Sequence, residues 1–102
     1  MLFAVAILFA ACETVEFDNF STITGTVIDA DTQSPISGVN VNLSPSGKNA
    51  ITGNDGYFQF VELDVLQYTI TVQKTGYATN RKTVTANPGE TEDIVITMKK
   101  TN

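Results

Sequence analysis

From Ser21 onward, short stretches of the chain alternate between apolar and polar residues. Residues that favour turns interrupt these stretches about every 8–12 positions, a spacing typical of β-sandwiches and barrels. A period of two places successive side chains on opposite faces of a strand. No stretch of this region has the apolar spacing of an amphipathic helix. The pattern therefore predicts an all-β domain whose strands each bury one face.

Seven strands are expected, over residues 22–29, 39–44, 49–52, 57–61, 67–74, 77–86 and 92–99. The strongest hairpin signal is Gly53-Asn54-Asp55-Gly56, because these residues tolerate the positive φ of tight turns. The sixth strand is the most polar, which favours a position at a sheet edge. Alternation predicts this inward-facing set: Ile23, Val27, Val39, Val41, Leu43, Ile51, Phe58, Phe60, Tyr68, Ile70, Val72, Val84, Ile94, Ile96 and Met98. Gly25 lies inside the first strand, where glycine indicates a bulge or a close approach of another backbone.

Composition excludes several classes of function. With 102 residues the chain has room for one domain, and 42% hydrophobic against 17% charged residues is too apolar for a disordered chain. The net charge of −5 argues against a nucleic-acid partner, which requires basic residues to neutralise phosphates. Without histidine and with one cysteine, histidine-dependent catalysis, ordinary zinc sites and an internal disulfide are excluded.

Residues 1–11 are uninterruptedly apolar, and Cys12 follows the small pair Ala10-Ala11. As a helix these residues would be about 17 Å long, too short for a hydrocarbon core of about 30 Å. Their length fits a signal peptide. The Ala10-Ala11-Cys12 sequence resembles the lipobox of bacterial lipoproteins, whose cysteine receives a diacylglycerol after which the signal is removed. The resemblance implies a membrane anchor at Cys12. The alternative is a buried N-terminal strand or helix with a free cysteine.

Residues 12–20 are acidic and without a clear period, which indicates a short tether between the anchor and a folded domain. An additional edge strand is the other interpretation, because Val15, Phe17 and Phe20 are apolar. The expected organisation is a signal peptide over 1–11, a lipid-anchored tether over 12–20 and a β-domain over 21–102.

Several segments together resemble the carboxypeptidase regulatory-like domain. They are residues 23–29 (ITGTVID), 35–41 (PISGVNV), 54–60 (NDGYFQF) and 68–72 (YTITV), with Gly76-Tyr77 and an alternating tail after Gly89. The resemblance covers about residues 22–99 and implies a seven-stranded Greek-key β-sandwich of transthyretin-like topology. The family usually has glycine before the tyrosine of the fifth strand, where this chain has Gln67. The preceding turn must therefore form without that glycine.

The resemblance also implies a function. The family is named for its place behind metallocarboxypeptidase domains; it is not their catalytic part, and the peptidase zinc ligands have no counterpart here. In Bacteroidetes-type bacteria such domains are common in surface and outer-membrane proteins. We expect a non-catalytic lipoprotein of the cell envelope, on the periplasmic or surface face of the outer membrane, that is a structural or protein-interaction module without a cofactor. A carbohydrate-binding module, or an accessory domain of an envelope peptidase or transport system, are the alternatives. The expected partners are the membrane and an unidentified envelope protein or glycan.

Candidate site residues are few. Asp29, Asp31 and Asp55 are weak candidates for calcium, but aspartate in turns usually accepts hydrogen bonds from its own backbone, so no metal is expected. Tyr57 and Tyr77 are candidate contacts for a ligand or partner, or else pack at the rim of the core. The basic residues Lys74, Arg81 and Lys82 are expected to be solvated charges at a sheet edge.

Catalysis is not expected. Without histidine, the candidates left are a loop serine, Ser34, Ser37, Ser44 or Ser46, activated by Lys48, and a carboxylate pair such as Asp29 and Asp55. The carboxylate pair would need a substrate cleft, for which a sandwich of this size offers little room. Lys48 is expected in a polar turn, where nothing would lower its pKa towards neutrality.

Overall fold

The computed structural model describes residues 20–101, and the predictions for residues 1–19 lie outside this range. The chain forms seven strands: β1 (Phe20–Asp29), β2 (Asn40–Ser44), β3 (Lys48–Ile51), β4 (Tyr57–Asp64), β5 (Gln67–Gln73), β6 (Asn80–Thr85) and β7 (Thr91–Met98). The prediction of an all-β, seven-stranded domain is confirmed.

The strands form two sheets packed face to face, with the orders β4-β1-β7 and β3-β2-β5-β6. β1 pairs with β7 in parallel, and the other pairs are antiparallel. Strand β6 lies at a sheet edge, as its polarity predicts. Both sheets bury their facing sides, which is why each strand of the sequence alternates.

The core lies between the sheets and consists of these buried side chains: Ile23, Val27, Ile36, Val39, Val41, Leu43, Phe58, Phe60, Leu63, Tyr68, Ile70, Val72, Val84, Ala86, Ile96 and Met98. Most of the predicted inward set is present, and Ile94 is half-buried against it. Ile36 and Leu63 are additions, because they come from a loop and from an extension of β4 that the predicted strands do not include. Ala86 is also buried, although the inward set of the predicted sixth strand does not include it.

The prediction that Ile51 faces inward is wrong. Its side chain is 64% exposed. In the β2–β3 pairing, Ala50 lies opposite the buried Val41, whereas Ile51 lies opposite Asn40 on the outer face. The register with β2 therefore turns the one large apolar residue of β3 towards solvent and the small Ala50 towards the core.

Gly25 is a point of close approach, but by side chains rather than by the backbone that the sequence predicted. Gly25 lies between Phe58 on β4 and Ile94 on β7. A Cβ atom on Gly25 would lie 2.3 Å from the Phe58 ring and 3.1 Å from the Ile94 side chain. The absent side chain leaves the space in which the Phe58 ring lies across β1, so glycine here is required by packing.

The connection from β4 to β5 forms without the family's usual glycine. The register between β1 and β4 shifts after Ser21, so that β4 carries an extra residue, and Glu62 has a φ of 54°. The residue with a positive φ, Glu62, therefore lies in a bulge of β4 before the turn. The Tyr68 hydroxyl donates to the Asp64 carbonyl at 2.8 Å, which holds the start of β5 to the end of β4. Burial raises the pKa of Tyr68.

The domain has two ends. At the tether end, β1 begins at Phe20, and the β4–β5 and β6–β7 connections lie beside it. At the loop end lie residues 30–39, 52–56 and 74–79 and the residues that follow β7. Within residues 20–101 no helix is long and apolar enough to cross a membrane.

Candidate functional site

Asp29 ends β1 at the loop end and organises the loop that follows. Its Oδ1 accepts hydrogen bonds from the backbone N–H groups of Asp31 at 2.8 Å and Thr32 at 3.0 Å. The side chain is only 4% exposed. The N–H groups of Thr32 and Asp31 hold the pKa of Asp29 below its ordinary value of 3.8. Asp29 is therefore a charged carboxylate with a structural role in its own turn.

Two side chains distant in sequence reach the other oxygen of Asp29. The Tyr77 hydroxyl donates to Oδ2 at 3.4 Å, and Lys100 Nζ lies 4.0 Å from the same atom. The two side chains lie close to each other because Tyr77 and Lys100 form an isolated antiparallel bridge. Beside them, Lys99 Nζ lies 3.2 Å from Asp31 Oδ1. The structure thus gathers Asp29, Asp31 and Tyr77 with two lysines at the loop end.

The other candidates lie apart from this group. Tyr57 lies opposite Thr26 in the three-stranded sheet and is 41% exposed. Asp55 accepts a hydrogen bond from the Tyr57 N–H at 3.1 Å within its turn. In the described part of the chain, no three acidic or cysteine side chains are close enough to hold a metal, so Asp29, Asp31 and Asp55 do not form such a group.

Lys74 follows β5 and is the feature of this end that sequence reasoning missed. It is half-buried, whereas Arg81 and Lys82 are exposed. Its ammonium donates to the Ser37 carbonyl, and it forms no salt bridge with any carboxylate of residues 20–101. The burial results from the packing of residues 30–39 over the end of β5, for which the sequence contains no local signal.

Two open grooves meet at Lys74. The side groove, of about 530 Å³, is lined by Gly38, Asn40, Gln73, Lys74, Thr75 and Thr79. The end groove, of about 290 Å³, is lined by Asp29, Thr32, Ser34, Pro35, Ile36, Ser37, Lys74, Tyr77 and Lys100. Their walls are mostly hydroxyl, amide and charged groups, which are suited to binding a polar ligand.

The serine and lysine closest in sequence are engaged elsewhere. Ser46 Oγ donates to the Leu43 carbonyl at 3.0 Å and accepts the Lys48 backbone N–H at 3.1 Å. Ser46 lies in the exposed turn between β2 and β3, and Lys48 is the exposed first residue of β3, both at the tether end. The Ser46 hydroxyl is thus bonded to the backbone, and the grooves at the loop end are the better candidate for function.

Solved structures share this fold. The Bacillus anthracis TIE protein has a TM-score of 0.71 at 15% identity, over 80% of this chain and 17% of that one. A minor pilin of Streptococcus agalactiae has a TM-score of 0.67 at 18% identity, over 82% and 46%. A proposed carbohydrate-binding protein from Pseudomonas aeruginosa has a TM-score of 0.60 at 16% identity, over 78% and 88%. This chain therefore spans less than half of the first two proteins, and at these identities the likeness is one of fold.

No curated protein sequence matches the chain. The carboxypeptidase regulatory-like domain matches residues 22–99, which include all of β2 to β7 and most of β1. The likeness of the motifs, the seven strands and the two-sheet sandwich all agree with this match. The chain belongs to the carboxypeptidase regulatory-like domain family.

Proposed function

We propose that the chain is a non-catalytic structural or protein-interaction module of the cell envelope, anchored by lipid at Cys12. One observation carries the proposal: the chain enters the domain at one end, and both grooves lie at the other. The ten residues of β1 separate these ends by about 30 Å at ~3.3 Å per residue. A domain anchored before Phe20 therefore presents its grooves away from the anchor.

The N-terminal sequence supports the anchor. Residues 1–11 have the length and apolarity of a signal peptide, and Cys12 follows two alanines. From Cys12 to Phe20 the chain reaches at most about 29 Å, which keeps the domain close to a membrane surface. The pilin of Streptococcus agalactiae, a protein of similar fold, agrees with a place at the cell surface.

Membrane fractionation with and without Cys12 tests the anchor. In a bacterial host fed an alkyne fatty acid, the wild-type protein is expected in the membrane fraction carrying the label. Cys12→Ser is expected to lose the label, and to appear as a soluble protein or as an unprocessed precursor. Phe9→Leu is the matched control, because the usual lipobox has leucine three residues before the cysteine; it retains the cysteine and should be labelled at least as well. A Cys12→Ser protein that stays in the membrane at the wild-type mature mass would contradict the proposal.

Carbohydrate binding is the second candidate function. The observation that favours it is the lining of the two grooves, where amide and hydroxyl groups outnumber apolar ones. The proposed carbohydrate-binding protein from Pseudomonas aeruginosa, of similar fold, agrees with it. Binding of a defined oligosaccharide to the purified protein, with loss on substitution in the grooves, is the test.

A further inference from the structure

Building on the second candidate function, we propose that the two grooves form one binding site for an acidic oligosaccharide, with Lys74 at its centre. The two grooves adjoin, because Lys74 lines both of them. Together they lead from the outer face of the four-stranded sheet, at Asn40 and Gln73, over Lys74 to Tyr77 and Lys100 at the loop end.

Lys74 indicates the charge of the ligand. Its ammonium has three donors, of which the Ser37 carbonyl takes one. The side chain is half-buried, its bond to Ser37 lies at an exposed position, and it forms no salt bridge within the described chain, so no counter-ion from residues 20–101 pairs with its charge. A negatively charged group on a ligand would supply that counter-ion through a charge-assisted hydrogen bond.

Gly38 leaves the approach to Lys74 open. A Cβ atom at Gly38 would lie 3.4 Å from Lys74 Nζ, and the φ of +71° disfavours any side chain there. A larger residue at this position would narrow the side groove where it meets the ammonium. The backbone of the loop thus permits a ligand to reach the charge from the side groove.

The surrounding charges also favour an anion. Lys100 lines the end groove and is 60% exposed, whereas the Asp29 carboxylate accepts two backbone N–H groups and is 4% exposed. The grooves therefore hold two lysines against one aspartate. The Oδ1 atom of Asp29 is bonded to its own turn, and its Oδ2 atom lies 4.0 Å from Lys100 Nζ, which leaves Lys74 without a carboxylate partner among the described residues. This is a locally positive surface on a chain whose net charge is −5, an arrangement that attracts anions towards this end.

The neutral part of the lining favours a sugar over a peptide. The side groove presents Asn40, Gln73, Thr75 and Thr79, and the end groove adds the hydroxyls of Thr32, Ser34 and Ser37. Such groups donate to and accept from sugar hydroxyls. Extended peptides are usually held by pockets for alternate side chains, and the apolar lining consists of Pro35, the buried Ile36 and the ring of Tyr77. An acidic sugar matches both the hydroxyl-rich walls and the lysines.

Calorimetric titration of the full chain in a non-ionic detergent, with tetragalacturonate as the probe, tests the site. Binding is expected at low salt and should weaken several-fold at high salt, because screening reduces attraction between partly exposed charges. Maltotetraose, which is neutral, and tetraglutamate, an acidic peptide, should both bind more weakly. Lys74→Met is expected to weaken tetragalacturonate binding about tenfold, as for loss of a charge-assisted hydrogen bond.

Matched variants separate binding from folding. Lys100→Gln removes a charge from an exposed side chain in the end groove and should weaken binding several-fold without unfolding the domain. Lys48→Gln removes an exposed lysine at the tether end and should leave binding unchanged. The proposal would be overturned if tetragalacturonate gave no measurable heat, or if Lys100→Gln bound it with wild-type affinity. It would also be overturned if maltotetraose bound equally well, or if tetraglutamate bound equally or more tightly. None of these results bears on the lipid anchor, which the Cys12 experiment decides separately.

Discussion

Two polar side chains hold the loop after β1 from within the domain. Asp29 accepts backbone N–H groups from the start of that loop. Thr52 holds its far end, since its Oγ1 donates to the Ile36 carbonyl at 2.7 Å and accepts the Val39 N–H at 2.9 Å. Both side chains are buried, and both are satisfied by backbone groups. They position the loop residues that line the end groove.

The charge on Asp29 makes part of the stability depend on pH. Its folded-state pKa lies below the ordinary value of 3.8, so the unfolded chain takes up the proton first as pH falls. The contribution of the charge is thus fully present above pH 3.8 and is lost as pH falls through that value towards the folded pKa. Asp29→Asn is expected to be less stable than wild type at pH 7, with a difference that shrinks below pH 4.

Urea unfolding at stepwise lower pH measures this difference. Asp55→Asn, which removes an exposed turn carboxylate, is the matched control for the effect of acid on the rest of the chain. A stability difference between wild type and Asp29→Asn that is the same at pH 7 and pH 3 would contradict the role given to the charge.

At the scale of the strands, register determines which side chains stabilise the domain. Phe58 is 2% exposed, and its ring lies over Gly25 in the core. Ile51, an equally apolar residue in sequence terms, lies on the outer face because its partner in β2 is Asn40. Alternation within a strand distinguishes two faces, but only pairing with a neighbouring strand decides which face is buried.

Substitutions on the two faces are therefore expected to differ sharply. Phe58→Ala removes a buried ring and should lower the free energy of unfolding by about 3–5 kcal/mol. Ile51→Ser, on an exposed side chain, should change it by less than about 0.5 kcal/mol, as should Thr69→Ala on the outer face of β5. Denaturant midpoints at constant m-value measure these changes. Damage at Ile51 comparable to that at Phe58 would show that the register of β3 is wrong.

At the scale of the whole molecule, the two sheets are held together by the core between them and by backbone hydrogen bonds at the loop end. Within residues 20–101, the core residues belong to the strands and loops between Ile23 and Met98. Beyond β7, the Ala78 N–H donates to the Lys99 carbonyl at 2.8 Å and the Thr101 N–H to the Gly76 carbonyl at 3.0 Å. These bonds join the end of the three-stranded sheet to the loop that leads into β6, so the two sheets are connected at the loop end.

A fragment of residues 20–102 is accordingly expected to fold alone. The apolar side chains between Ile23 and Met98 pack against one another, and no group of metal-ligating side chains lies among residues 20–101. Unfolding followed by circular dichroism and by tyrosine fluorescence should give coincident, cooperative transitions. A chelator or a reductant should leave the midpoint unchanged. Non-coincident transitions, or a fragment that aggregates where the full chain does not, would contradict an independent domain.

The sequence by itself determined the fold class, the number of strands and most of the core, because a period of two and regularly spaced turn residues are local properties of the chain. It also contained the family likeness. Tertiary structure decided the outward face of Ile51, the bulge at Glu62 and the half-burial of Lys74. It also brought Tyr77 and Lys100 to Asp29, although Lys100 lies 71 positions after Asp29 in the sequence. Alternation cannot predict these features, because they arise from pairing register and from loop residues that pack against strands distant in sequence.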